Sequence, residues 1–223
     1  MIVGLLGGES TGKSSLARSL HNVLRTSWSG KIVLIEEHLR FWCEVRGRAP
    51  RVEEQAGIAA MQASLVQKAL DGDASNVLVI ADTTPMMVAA YSEQYFGDTS
   101  LWPEALAFQR RCQVSLLMGL DLPWIADGLF RDSPRARERT DAILRARLEQ
   151  ATLPFHTVYG QGDQRTQNAL RTLLPALGVS SPPANEALEQ GRAGAWSCEA
   201  CSDPDCEHRL FTVLLERREA GKS

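Results

Sequence analysis

Nine consecutive residues, Gly7-Gly8-Glu9-Ser10-Thr11-Gly12-Lys13-Ser14-Ser15, have the types and spacing to hold phosphate. They fit G-x-x-x-x-G-K-[ST] and follow a short apolar run, Ile2 to Leu6. A strand ending in such a turn aims backbone N–H groups at phosphate oxygens, and a helix opening at Lys13 adds the positive end of its dipole. Gly7 and Gly12 let the chain curl tightly without a Cβ clash. Lys13 is placed to reach the β- and γ-phosphates, and the Ser14 hydroxyl to sit on Mg²⁺. A chance glycine-rich turn need not have a strand before it, a helix after it and every fixed position filled. The stretch therefore predicts a nucleoside triphosphate site.

Phosphoryl transfer also needs acids and cations around the loop. Asp82 closes the third apolar run of the chain, where it can hold Mg²⁺ directly or through water; alternatively, with Thr83 and Thr84, it caps the helix that follows. Glu36 and Glu37 close the second run. A carboxylate there can take a proton from an attacking hydroxyl or hold a ribose diol, and the sequence does not choose between the two. Arg131, Arg135, Arg137, Arg139, Arg145 and Arg147 could supply a cationic lid over the transferring phosphate. Most of them read as a solvated helix with Glu138, Asp141 and Glu149 as surface partners. Arg131 is the favoured functional member because it follows closely on the turn Asp127-Gly128. Trp42, Tyr91, Tyr95, Phe96 and Trp102 offer either a stacking surface for a flat base or ordinary core, unranked.

Of five cysteines, Cys43 and Cys112 stand singly. The other three form Cys198-x-x-Cys201-x-x-x-x-Cys206-x-His208, three thiolates and an imidazole of the kind that hold structural zinc. The short Cys206-x-His208 spacing leaves reduced thiols or a redox pair as the alternative.

The elements that must position these residues follow from periodicity. Helical spacing runs from Ser14 to about Arg25, Val52 to Leu70, 84 to 96, 102 to 111 and Gln164 to Leu177. Short apolar runs at Lys31 to Glu36, Asn76 to Asp82 and Val114 to Asp121 read, with Ile2 to Leu6, as strands of a parallel sheet covered on both faces, and Pro154 to Tyr159 reads as a fifth strand. Alternating strands and helices predict an α/β fold of the P-loop NTPase type, a doubly wound five-stranded parallel sheet with helices on both faces. The kinase-like ATP-binding domain is expected over residues 1–178, and a linker with a small Cys/His-rich C-terminal tail over 179–223. A net charge of -3 gives no global attraction to nucleic acid, and no run approaches the ~18 apolar residues of a membrane span. The first strand begins at once, with no signal peptide, so a cytoplasmic protein is expected.

Three blocks carry a family resemblance. The loop Gly7 to Ser14, the triplet Ala81-Asp82-Thr83 and the segment Asp121-Leu122-Pro123-Trp124-Ile125-Ala126-Asp127-Gly128-Leu129-Phe130-Arg131 resemble NadR-like ribosylnicotinamide kinases over about residues 1–177. The resemblance implies a fold shared with nucleoside and nucleotide kinases, and transfer of the ATP γ-phosphate to the 5′-hydroxyl of N-ribosylnicotinamide. It implies working roles for Lys13, Ser14, Asp82 and Arg131. Glu36-Glu37-His38-Leu39-Arg40-Phe41 matches the family only loosely, and the cysteine tail is no part of its pattern. The expectation is a Mg²⁺- and ATP-dependent phosphotransferase acting on a small nucleoside-like acceptor, with a zinc ion in the tail as a further possibility. The competing expectation is a nucleotide-gated ATPase or GTPase module whose tail contacts a protein partner.

Overall fold

Runs of β-branched and aliphatic residues become strands here because both faces of the sheet are covered. A computed structural model of the chain describes residues 1–71, 76–125 and 133–179. Its strands are β1 (Ile2–Leu6), β2 (Lys31–Ile35), β3 (Val77–Ala81), β4 (Val114–Met118) and β5 (His156–Val158). They form one sheet in the order β2-β3-β1-β4-β5, each neighbouring pair parallel. Along β1 the side chains alternate between two cores: Val3 and Leu5 enter one, Ile2 and Leu6 the clusters on the other face. The first core is closed by helices α1 (Lys13–Leu24) and α7 (Gly162–Ala176), through Leu16, Leu20, Leu170 and Leu173. The second face is covered by α3 (Val52–Leu70), α4 (Pro85–Phe96), α5 (Trp102–Gln109) and α6 (Pro134–Gln150).

The topology locates the site. From central β1 the chain moves toward β2, and from β3 it crosses to β4, so the strand order reverses between β1 and β3. Their carboxyl ends diverge there into a crevice, the usual ligand position in an open α/β sheet. The phosphate loop leaves β1 and Asp82 leaves β3 at this crevice.

Two expectations need correction. The Lys31 run is an edge strand and only half-buried, because no described strand pairs with its outer side; continuous apolar character did not mean full burial. The segment after Glu37 contains a helix, α2 (His38–Arg46), that periodicity did not reveal. Its bulky residues are weak helix formers, only Cys43 is buried, and Phe41 and Val45 face solvent. Gly47 ends it in the left-handed conformation, at φ 65°. Among the described residues, no helix is long and apolar enough to cross a membrane.

Candidate functional site

The phosphate loop between β1 and α1 is built from backbone shapes that few residues tolerate. Gly7 sits at φ 143°, Ser10 at φ 56° and Gly12 at φ 78°. A Cβ on Gly7 would lie 2.8 Å from Met118 Cβ, and one on Gly12 would lie 2.8 Å from Leu122 Cδ1. Lys13 is 8% exposed, and its ammonium donates to the carbonyls of Gly7 (2.7 Å) and Gly8 (3.1 Å). The Thr11 hydroxyl closes the curl by donating to Gly8 O at 2.7 Å. Ser10 faces outward: its hydroxyl donates to Ile125 O (2.9 Å) and accepts from Ile125 N (3.2 Å).

Two buried arginines brace this loop. Arg165 of α7 is 4% exposed and donates to the carbonyls of Thr11 (2.9 Å) and Gly160 (2.8 Å) and to Asp121 Oδ1 (3.1 Å). Gly160 N donates to the other Asp121 oxygen at 2.7 Å, so the acid after β4 serves this brace. Arg137 of α6 donates to Leu122 O at 2.8 Å, and a Cβ on Gly8 would lie 3.2 Å from its Cγ. Arg135 and Arg139 are exposed, whereas Arg145 pairs with Asp141 at 2.7 Å and Arg147 with Glu93 at 2.9 Å. Arg131 lies outside the described residues, as do Cys198, Cys201, Cys206 and His208.

The three carboxylates separate clearly. Asp82 is 3% exposed, and among the described residues its Oδ1 is buried without a hydrogen-bond partner. The capping role belongs to Thr84, whose Oγ1 accepts from Met86 N at 3.4 Å. Between them Thr83 stands at φ 99°, an expensive conformation for a β-branched residue, about 1–3 kcal/mol, of the kind that gathers at functional sites. An orphaned buried carboxylate oxygen suits Mg²⁺, which takes one or two carboxylates and completes its shell with phosphate oxygens and water. Asp82 and Ser14, which lines the cleft, fit that ion. ATP suits the loop, whose residues Glu9 to Ser15 line the cleft.

Glu36 points to solvent and meets Arg18 at 3.4 Å, an exposed pair of little energetic weight. Glu37 instead lines the cleft at the start of α2. Part of its surface opens to the cleft, yet protein surrounds it deeply enough that burial raises its pKa above the ordinary range. Lys13 pulls it back down, Asp82 pushes it up, and Arg40 lowers it. These couplings place Glu37, Lys13 and Asp82 in one electrostatic neighbourhood.

The cleft, about 680 Å³, runs from Lys13 and Ser14 past Glu37 to Cys43, Gln55 and the aromatic wall of Tyr91, Tyr95 and Phe96. Of the five aromatics, these three reach the site. Trp102 is core, its indole donating to Glu93 Oε2 at 2.6 Å, and Trp42 carries the guanidinium groups of Arg46 and Arg48 at 5.5 and 5.0 Å. The rim residues Ala49 and Pro50 are held by an Arg48 fork on Glu54, at 2.8 and 2.7 Å. That fork, with Arg51 N, holds the Glu54 carboxyl down at about 2. Sequence reasoning missed Arg165, Gln55 and Gln62, another glutamine of α3. Nothing in the spacing separates a buried Arg or Gln from the solvated ones around it.

A family model for an AAA domain matches residues 2–165. The trifunctional NAD biosynthesis/regulator protein NadR of Escherichia coli (strain K12) is 30% identical over 156 residues, which cover 69% of this chain and 37% of that protein. The chain thus spans little more than a third of that relative's length. Among solved structures, NadR in complex with NR superposes with a TM-score of 0.66 at 18% identity, covering 82% of this chain and 53% of that one. Deoxyadenosine kinase from M. mycoides superposes with a TM-score of 0.52 at 12% identity, covering 77% of this chain and 97% of that one. Both likenesses are of fold.

Proposed function

The chain belongs to the AAA domain family, and on that premise we propose that it is a kinase that moves the γ-phosphate of ATP to the hydroxyl of a small nucleoside. N-ribosylnicotinamide is the acceptor of choice. The observation that carries this reading is that one cleft holds the phosphate loop, Lys13 and Glu37 together and continues into a half lined by side chains. A hydrolytic switch has no use for that second half; a kinase needs it for the acceptor. Support for the acceptor comes from the relatives, one named for NAD biosynthesis and one solved with NR.

In this reading the loop N–H groups and the Lys13 ammonium bind the phosphates and hold them in line with the acceptor. Glu37 takes the proton from the attacking hydroxyl at its carboxylate oxygen. Its raised pKa brings its basicity closer to neutral pH, where a general base works best. Glu36, on the outer surface, has no part in the transfer. Mg²⁺, held by Asp82 and Ser14, would supply neutralisation of phosphate charge. Arg165 fixes the loop through Thr11 without touching substrate. Arg131 keeps the role that the resemblance implies, closing over the γ-phosphate.

The test is ADP release from the purified chain with ATP and Mg²⁺ across a nucleoside panel that includes N-ribosylnicotinamide, with a control lacking acceptor. Acceptor-stimulated release with a phosphorylated product seen by mass supports the kinase. Equal release with and without acceptor refutes it in favour of a nucleotide-gated module.

A further inference from the structure

Gln55 and Gln62 stand seven residues apart on α3, two turns, so their side chains leave the same face roughly 10 Å apart along the axis. Both are buried, at 3% and 1% exposure. Their amides are used differently. Gln62 Nε2 donates to the carbonyls of Glu36 (3.4 Å) and Thr83 (3.3 Å), and its Oε1 accepts from His38 N at 2.8 Å. It knots the ends of β2 and β3 to the start of α2, at the level of Glu37. Gln55 lines the cleft, and its Oε1 is buried without a hydrogen-bond partner among the described residues.

A buried amide oxygen without a partner is costly, and native structures almost never leave one without a reason. Among the described residues no donor reaches that oxygen, and leucine would fill the space with no polar group to satisfy. Tyr91, Tyr95 and Phe96 line the same cleft and offer flat apolar surface to a ring. The axial separation of the two glutamines is comparable to the span from a nucleoside's 5′-hydroxyl to a substituent on the far side of its ring.

We propose that Gln55 is the specificity residue for the acceptor's ring, pairing its amide with a carboxamide or lactam edge that carries an N–H donor beside a C=O acceptor. The proposal rests on the kinase reading above and deepens it. Glu37 takes the sugar hydroxyl; Gln55, two helical turns from the Gln62 knot beside Glu37, reads the ring. A glutamine amide suits this edge because it presents one acceptor and two donors in a plane. A site built this way discriminates strongly, since a ring lacking the edge leaves the buried amide unpaired.

Calorimetric titration of the intact protein with N-ribosylnicotinamide and with N-ribosylpyridinium, which lacks only the carboxamide, tests this directly. The wild type binds the carboxamide nucleoside roughly 10- to 100-fold more tightly. In Gln55→Leu that preference disappears, while binding of the pyridinium nucleoside and the melting temperature are not lowered. A purely structural glutamine predicts the reverse, a lowered melting temperature and an intact preference. Gln55→Glu, which keeps the shape but removes the donor, loses the preference as well and stands in should the leucine protein fold poorly. Undiminished preference in both variants overturns the proposal, as does equal binding of the two nucleosides by the wild type or no binding of either. ADP release keeps the two ideas apart. Preferential binding without phosphate transfer leaves Gln55 assigned and removes the kinase; transfer with unaltered preference in the variants removes the assignment and leaves the kinase.

Discussion

Replacing Glu37 by glutamine should move activity and stability in opposite directions. The substitution keeps the shape and removes the charge. A general base contributes roughly 10²- to 10⁴-fold, so kcat for the acceptor-dependent reaction should fall by about that range. In the wild type, kcat/KM should fall as pH is lowered through the raised Glu37 pKa, because the protonated carboxyl cannot take a proton; the variant should lack that limb. Stability runs the other way. Burial is the largest influence on Glu37, and it makes the charged form less favourable in the folded than in the unfolded chain. Between the ordinary glutamate pKa of about 4.3 and the raised folded value, the folded state binds more protons. There its stability falls as pH rises, by at most about 1.4 kcal/mol per pH unit. Below that window both states are protonated and nothing is lost; above it the full cost is present. Glu37→Gln removes the cost, so its urea midpoint should exceed the wild-type value at pH 7.5 and match it near pH 4. The attraction to Lys13, lost with the charge, works against this gain and limits it. Full activity in Glu37→Gln, or a variant less stable at pH 7.5 than at pH 4 relative to wild type, would refute the assignment of burial and basicity to one carboxylate.

Lys13→Ala should abolish turnover and leave the far-ultraviolet circular dichroism unchanged, since among the described residues its ammonium bonds to the loop carbonyls of Gly7 and Gly8; retained turnover removes the site. Asp82→Asn should shift the Mg²⁺ titration of activity to higher concentration without lowering the melting temperature, because among the described residues Oδ1 has no partner to lose. An unshifted titration would leave that orphan oxygen unexplained. Arg165→Met should cost about 2–4 kcal/mol in urea unfolding and raise KM for ATP, because it strips Thr11, Gly160 and the partly exposed Asp121 of a buried partner. A loss below about 0.5 kcal/mol would show that the loop holds its shape unaided.

The phosphate half of the site was legible in the sequence because backbone geometry dictates it. Only glycine accepts the turn at Gly7 beside Met118 and at Gly12 beside Leu122, so the motif is a direct image of the fold. The first four strands were legible for a similar reason, each being a largely apolar run between turn residues, and β5 followed from the alternation of strands with helices. Legibility ended where chemically equal neighbours take different roles. Glu36 and Glu37 are adjacent and identical in type; which faces the cleft depends on how β2 gives way to α2, a helix whose aromatic residues hide its period. Arg165 looked like any charge on a helix, and its burial follows from the approach of α7 to the loop, a long-range contact that no local pattern carries.

The contrast between Gln55 and Gln62 bears on how such a site can change its substrate. Gln62 bonds to three backbone groups at the junction of β2, β3 and α2, so substituting it disturbs Glu37 and the fold together. Gln55 carries no such structural bond from its Oε1, and the helix that bears it is anchored elsewhere, by Ile58 and Val66 in the core. Substitution at Gln55 therefore alters what the cleft accepts at little cost to folding. Lys13, Glu37 and the loop remain where the sheet puts them. Specificity and phosphate chemistry are in this sense mechanically separate: the first rests on one unpartnered side chain, the second on strand ends fixed by the packing of both faces of the sheet. Acceptor preference should accordingly be far easier to redirect, by changes at Gln55 and the aromatic wall, than the transfer reaction is to improve.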